Sequence, residues 1–182
     1  SKKFRCSSIF LLSDNRRFVI DRLKLTHQQQ LDFLFTAGAF GLVIANNASI
    51  SGAEGGCQAE VGSASAMASA ALVAASGGTP DQSAQAVAIT IKNMMGLICD
   101  PVAGLVEVPC VKRNALGSSQ AFISADMALA GIRSVIPPDE VIHAMYQVGR
   151  QMPQIFKETA EGGLAVTPTA QRLSKEILEK QK

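Results

Sequence analysis

The chain has 182 residues, 47% of them hydrophobic and 18% charged, with a formal net charge of +2. That length accommodates one ordinary domain with its own core and leaves little room for two, and the apolar share excludes a disordered chain. With no Trp and one Tyr, the bulk of the core has to come from Ala, Leu, Val and Ile.

Basic residues gather at the front: Lys2, Lys3, Arg5, Arg16, Arg17, Arg22 and Lys24 stand against Asp14 and Asp21. Residues 1–24 read as a solvated arm. A nucleic-acid surface would need a sustained basic stripe with aromatic platforms, so no nucleic-acid partner is expected. SKKFRCSSIFLL starts basic, but its apolar stretch stops at Ser13 and Asp14 without a small-residue cleavage site, which is not a secretory signal. The longest apolar run, FLFTAGAFGLVIA at 33–45, is too short to cross a bilayer. The expectation is a cytoplasmic chain with no membrane partner, in which four cysteines serve as free thiols or metal ligands rather than disulfides.

Nearly every later segment predicts helix. Thr26 with Gln29 makes a capping-box pattern that opens HQQQLDFLFTAGAFGLVIANN, apolar almost all round and so expected to be buried. The glycine-rich ASISGAEGGCQAE follows, then the Ala/Ser-rich VGSASAMASAALVAAS, which ends at Gly77-Gly78 as a C-capped helix does. Side chains this small let helices approach closely, which places that helix at the centre. Thr79-Pro80-Asp81-Gln82 combines an N-cap threonine, a proline at the first helical position and Gln82 at the third; its helix should run to about Met95 and stop at Gly96. After GLICDPVAGLVEVPC, the stretch RNALGSSQAFISADMALAG predicts a helix ending at Gly131. Pro138, Asp139 and Glu140 start PDEVIHAMYQVGRQM, which Pro153 interrupts. Gly162-Gly163 is expected to end a short helix, and Thr167-Pro168 to start an amphipathic one, TAQRLSKEILEKQK. No alternation of period two is long enough to argue for a sheet. The expected fold class is all-α, a compact multi-helix domain over 25–182 around the Ala/Ser-rich helix, with irregular segments at 47–57 and 97–112.

Both irregular segments carry cysteines: Cys57 closes the first, while Cys99 and Cys110 bracket the second. Soft thiolates bind iron-sulfur clusters or zinc, and their ligands must converge from backbone that turns sharply, which Gly55, Gly56, Pro101, Gly104 and Pro109 allow. Spacing does not decide the matter, because there is no CxxC pair and the separations match none of the usual ferredoxin or zinc patterns. Buried packing thiols are the competing reading. Three ligands on a metal would leave one coordination position open, which a Lewis-acid catalyst requires.

SISGAEGGCQAEVGSASAMA, GLICDPVAGLVEVPCVKRNA and KETAEGGLA together resemble the α chain, or α domain, of the iron-sulfur-dependent bacterial L-serine dehydratases. The similarity runs in the family's order from roughly residue 25 to residue 166, in blocks far longer than a short motif. It implies that Cys57, Cys99 and Cys110 hold an oxygen-sensitive 4Fe-4S cluster, with no pyridoxal phosphate, and that L-serine is converted to pyruvate and ammonia. It also implies a β chain or β domain as partner, and a homo- or hetero-oligomer. The family's candidate bases are histidines of that β part, whose motifs are absent here. His27 at a helix start and His143 within a helix read as surface or satisfied structural histidines, so the catalytic base is expected on the partner.

Among polar residues flanking the cysteines, Ser51, Glu54, Gln58, Glu60, Asp100, Arg113 and Asn114 are weighed against ordinary structural roles. Arg113 is a candidate to pair with a substrate carboxylate and Asn114 to hydrogen-bond substrate or cluster; the alternative is that both cap the helix they open, while Asp100 and Glu60 satisfy loop amides. Lys157, Glu158 and Thr159 sit in a family block, or simply near a helix end at Gly162-Gly163. The family's Pro-Thr-Ala-Gly type loop upstream of the first cysteine is missing, and residues 1–13 do not resemble the family. The chain therefore looks like a C-terminal part of an α chain or a variant with a replaced start, and Cys6 reads as an incidental thiol. An α domain serving assembly only, and an iron-sulfur redox sensor, are the alternative readings.

Overall fold

In the computed structural model of the protein, the described residues are Asp21 and 24–179. Cys6, nearly all of the basic arm and residues 180–182 lie outside them. The elements are α1 (His27–Asn47), α2 (Gly52–Gly55), a π turn (Gln58–Gly62), α3 (Ser63–Ala75), α4 (Pro80–Met94), a 3-10 turn (Val102–Gly104), α5 (Cys110–Leu129), α6 (Pro138–Gln151), 3-10 turns at Gln154–Phe156 and Gly163–Val166, and α7 (Pro168–Glu179). No strand occurs among the described residues; one isolated parallel bridge joins Cys99 to Lys157. The all-α expectation holds.

The centre is α3. Its alanines and serines are almost all buried, and α1, α4 and α5 pack on it from three sides. Small side chains permit that crowding, and the buried hydroxyls are satisfied locally: Ser65 donates to Val61 O at 2.7 Å, Ser69 to Ala66 O at 2.8 Å, and Thr90 of α4 to Ala86 O at 2.8 Å. Gly77 has φ 80°, and Gly78 N–H donates back to Val73 O at 2.9 Å, so the C-cap read from the glycine pair is present. Capping boxes form at Thr26–Gln29 and Thr79–Gln82 as expected. Helix α4 stops at Met94, with Gly96 at φ 90°.

Three expectations need correction. Helix α1 is not enclosed: it buries one stripe, Phe33, Ala37, Gly41 and Ile44, while Phe35 is 73% exposed and Leu34, Leu42 and Val43 are also exposed. The reason is that α1 packs on α3 along one line, and a second apolar stripe has no partner among the described residues. Helix α5 begins at Cys110, not after it, so the irregular segment is shorter than 97–112; likewise α2 interrupts the segment 47–57. Gly162-Gly163 ends no helix. Gly163 opens the turn Gly163–Val166 at φ 60°, where a Cβ would run into the Asp100 carboxylate and lie 2.8 Å from Asp100 Cβ: the glycine admits a close approach rather than a stop.

Candidate metal centre

Cys57, Cys99 and Cys110 come from three separated stretches; all three are buried and outside any disulfide, in one apolar cluster. Cys57 precedes the π turn, an element often found at functional sites. Cys110 is the first residue of α5. Cys99 lies between them in extended backbone, where its N–H donates to Phe156 O at 2.8 Å and its C=O accepts from Glu158 N–H at 2.9 Å. A segment more than fifty residues downstream thus fixes the middle thiol.

Arg113 and Asp100 tie these stretches together. Arg113 Nη1 donates to Ile98 O at 2.7 Å and to Asp100 Oδ1 at 2.7 Å, gripping the residues on either side of Cys99 from a position one turn into the helix that Cys110 opens. Asp100 Oδ2 accepts the Leu164 N–H at 2.7 Å, so one carboxylate joins α5, the cysteine loop and the C-terminal segment. The side chains are 17% and 2% exposed. Burial opposes the charge on Arg113, but the hydrogen bond and charge of Asp100, followed by those of Cys57, outweigh it and hold the guanidinium above its ordinary value.

Cys57 also lies within hydrogen-bonding reach of Cys99. That contact, then burial, then the charges of Cys57, Glu158 and Glu60 push the Cys99 thiol far above the usual thiol range. Without a metal this sulfur keeps its proton, which a metal ion bound there would have to displace. Gly52 comes close on the same side: a Cβ there would be 2.8 Å from Glu60 Oε2 and 3.4 Å from Cys99 Sγ. A backbone without a side chain beside a buried thiol leaves room that any other residue would take up.

The donor set is three soft thiols with carboxylates nearby, which suits iron or zinc chemically. Among the described residues, no three His, Cys, Asp or Glu side chains close on a single ion position. A polynuclear cluster makes a different demand, since each thiolate meets a different iron, and the three cysteines of one buried cluster fit that demand in number and kind.

Other flanking residues have structural contacts. Gln58, fully buried, donates to Met145 O at 3.0 Å and accepts from Gly96 N–H at 2.9 Å, so it clamps the Cys57 turn to α6 and to the end of α4. Asn114 Nδ2 donates to Cys110 O at 2.9 Å within α5, so neither it nor Arg113 caps the helix start. Ser49 donates to Glu54 at 2.6 Å. Ser51 is the N-cap of α2, without a side-chain bond to it. Thr159 donates to Ile155 O at 3.0 Å. His27 begins α1 and is exposed; His143 is exposed on α6 beside Tyr146 and Gln147. Neither histidine joins the cysteine cluster. Sequence reasoning missed the reach of Arg113 across Cys99 and the docking of Glu158 and Leu164.

No described helix is long and apolar enough to cross a membrane. The family model described as serine dehydratase alpha chain matches residues 17–165. The chain is 69% identical over 159 residues to the probable L-serine dehydratase alpha chain of Bacillus subtilis (strain 168), covering 87% of this chain and 53% of that one. It is 58% identical to the probable L-serine dehydratase alpha chain of Latilactobacillus sakei, over 87% of this chain and 76% of that one. The L-serine dehydratase alpha chain of Peptoniphilus asaccharolyticus is 50% identical over 93% of this chain and 56% of its own. The chain thus spans about half the length of two of these relatives. With the matched residues running through all three buried cysteines and the segment that docks on them, the chain belongs to the serine dehydratase alpha-chain family.

Proposed function

We propose that this chain forms the cysteine-bearing part of an L-serine ammonia-lyase, acting with further α-chain sequence and a β part to convert L-serine to pyruvate and ammonia. The observation that carries the reading is the burial of Cys57, Cys99 and Cys110 in one apolar core cluster, with Arg113, on the helix that Cys110 opens, bonded to the residues on both sides of Cys99. The names of the relatives support it.

The chemistry has two difficulties: the α-proton of serine is weakly acidic, and hydroxide is a poor leaving group. In this proposal Cys57, Cys99 and Cys110 hold a 4Fe-4S cluster, which supplies a Lewis acid at the iron that lacks a cysteine ligand. The chain's own residues position the thiols and keep water out. Burial excludes solvent from the sulfurs, Arg113 holds the backbone on both sides of Cys99, and Gln58 fixes the Cys57 turn. A base removes the α-proton and is proposed to come from the β part, since His27 and His143 are exposed elsewhere. Loss of water leaves an aminoacrylate, whose imine tautomer takes water back and releases ammonia.

Anaerobic reconstitution with iron and sulfide tests the ligand set. The native chain is expected to take up close to four irons with visible absorption, and Cys57→Ser, Cys99→Ser and Cys110→Ser each to lose it, while Cys6→Ser retains it. Normal loading in any of the first three variants would remove that cysteine from the set. Failure of the native chain to load, with the β part supplied, would leave the assembly-only reading. Arg113→Lys separates two roles: weakened iron retention marks a positioning residue, whereas a raised KM for serine with full loading marks the carboxylate contact proposed for Arg113 and, beside it, Asn114.

A further inference from the structure

A cavity of about 430 Å³ lies between α2, the π turn, α6 and the turn at Gln154–Phe156. Ser49, Glu54, Gln58, Tyr146, Arg150 and Lys157 line it; none of the three cysteines does. Its volume is in the range of small-molecule sites. Arg150 and Lys157 have no ion pair among the described residues, although Glu54 shares the cavity with them. Glu54 is instead held by Ser49. Two cations and one carboxylate in one concave wall form a site of mixed sign with an excess of one positive charge.

We propose that this cavity binds a small amino acid, with carboxylate oxygens on Arg150 and Lys157 and the ammonium on Glu54. Guanidinium suits a carboxylate bidentately, and the charge excess matches an amino acid that carries a second carboxylate. A phosphate dianion fits less well because Glu54 repels it. The wall is shared with the thiol-bearing backbone. Gly149 of α6 approaches so closely that a Cβ would lie 3.1 Å from Gly55 Cα and 3.2 Å from Gln58 Nε2, and Lys157 is the bridge partner of Cys99. A ligand here presses on the backbone that carries Cys57 and Cys99. The assignment is independent of the proposed lyase activity, since it needs neither iron nor a β part.

Calorimetric titration of the full metal-free chain with L-aspartate, L-serine and pyruvate tests it. Saturable binding of L-aspartate or L-serine is expected, weakened about tenfold or more by Arg150→Ala and by Lys157→Gln and unchanged in Cys57→Ser. Glu54→Gln should weaken the amino acids and leave pyruvate untouched. Circular dichroism of each variant shows whether it keeps its helices, and Tyr146→Phe, a change of one hydroxyl on the cavity wall, gives a second probe of the site in a near-isosteric variant. Absence of saturable heat at millimolar ligand, binding of pyruvate alone, binding indifferent to both cation substitutions, or loss of binding in Cys57→Ser would each overturn the proposal.

Discussion

Asp100 accepts from Arg113 with one oxygen and from Leu164 with the other, which makes it the residue whose loss should be felt furthest. Asp100→Asn keeps the volume but leaves a mostly buried guanidinium without its counter-charge, and breaking a buried pair from one side costs on the order of 3 kcal/mol. Urea denaturation of the metal-free chain is expected to show a loss of that size, and a change below about 0.5 kcal/mol would mean the pair is not cooperative with the fold. Glycines give a matched comparison. Gly131 has φ 85° with open space around its missing Cβ, so Gly131→Ala should cost about 1 kcal/mol from backbone conformation alone. Gly163 has φ 60° and Asp100 in the way, so Gly163→Ala should cost clearly more and, under the proposed function, should weaken iron retention too. Equal losses in the two variants would show that the Asp100 contact yields at no expense. Non-glycine residues with left-handed φ cluster nearby as well: Ala103 at 56°, Glu158 at 65° and Ala160 at 59°. Such backbone persists only where the surroundings over-determine it, and here the surroundings are the docked C-terminal segment.

At the scale of elements, α4 is the helix whose sequence says most about its structure. Its threonine, proline and glutamine give the start, and Gln82 also donates to Ala128 O at 3.2 Å, tying the cap to the end of α5. Asp81 in its first turn pairs with Arg133, whose Nη2 donates at 3.1 Å. The Arg133 hydrogen bond holds the Asp81 carboxyl below its ordinary value. A lowered folded-state value means stability that is present above the unfolded carboxylate range and is lost as pH falls through the folded one. Thermal melts from neutral to acid pH should therefore show a steeper loss below about pH 4 in the native chain than in Arg133→Ala. Coincident acid limbs would show that this exposed pair contributes nothing. Helix starts without such a signature were harder to read. Pro109 stands at the N-cap of α5 with no side-chain bond, so nothing in VEVPCVKRNA marks Cys110 as helical. QAEVG straddles the glycine-rich stretch and the small-residue helix after it, and nothing in it announces a π turn, where Gln58 reaches Gly96 and Met145 far along the chain.

For the whole molecule, the sequence made legible what depends on local pattern: the all-α class, the central small-residue helix and the caps, whereas the grouping of the three cysteines was implied by the family resemblance and not by their spacing. What it hid depends on distance along the chain. The grip of Arg113, the closeness of Gly163 to Asp100 and the exposed second stripe of α1 arise only when separated segments meet or fail to meet. Leu34, Phe35 and Leu42 lie along one apolar hollow with Ile50 and Met67, so α1 has the all-round character of a buried helix but one face in contact among the described residues. The bridge between Cys99 and Lys157 carries a consequence in time. A ribosome delivers residue 57 first, then 99 and 110, yet the backbone on both sides of Cys99 is completed by Phe156 and Glu158. The backbone around Cys99 is not complete until residues 156–158 have been made, so a later segment acts as the latch for an earlier one.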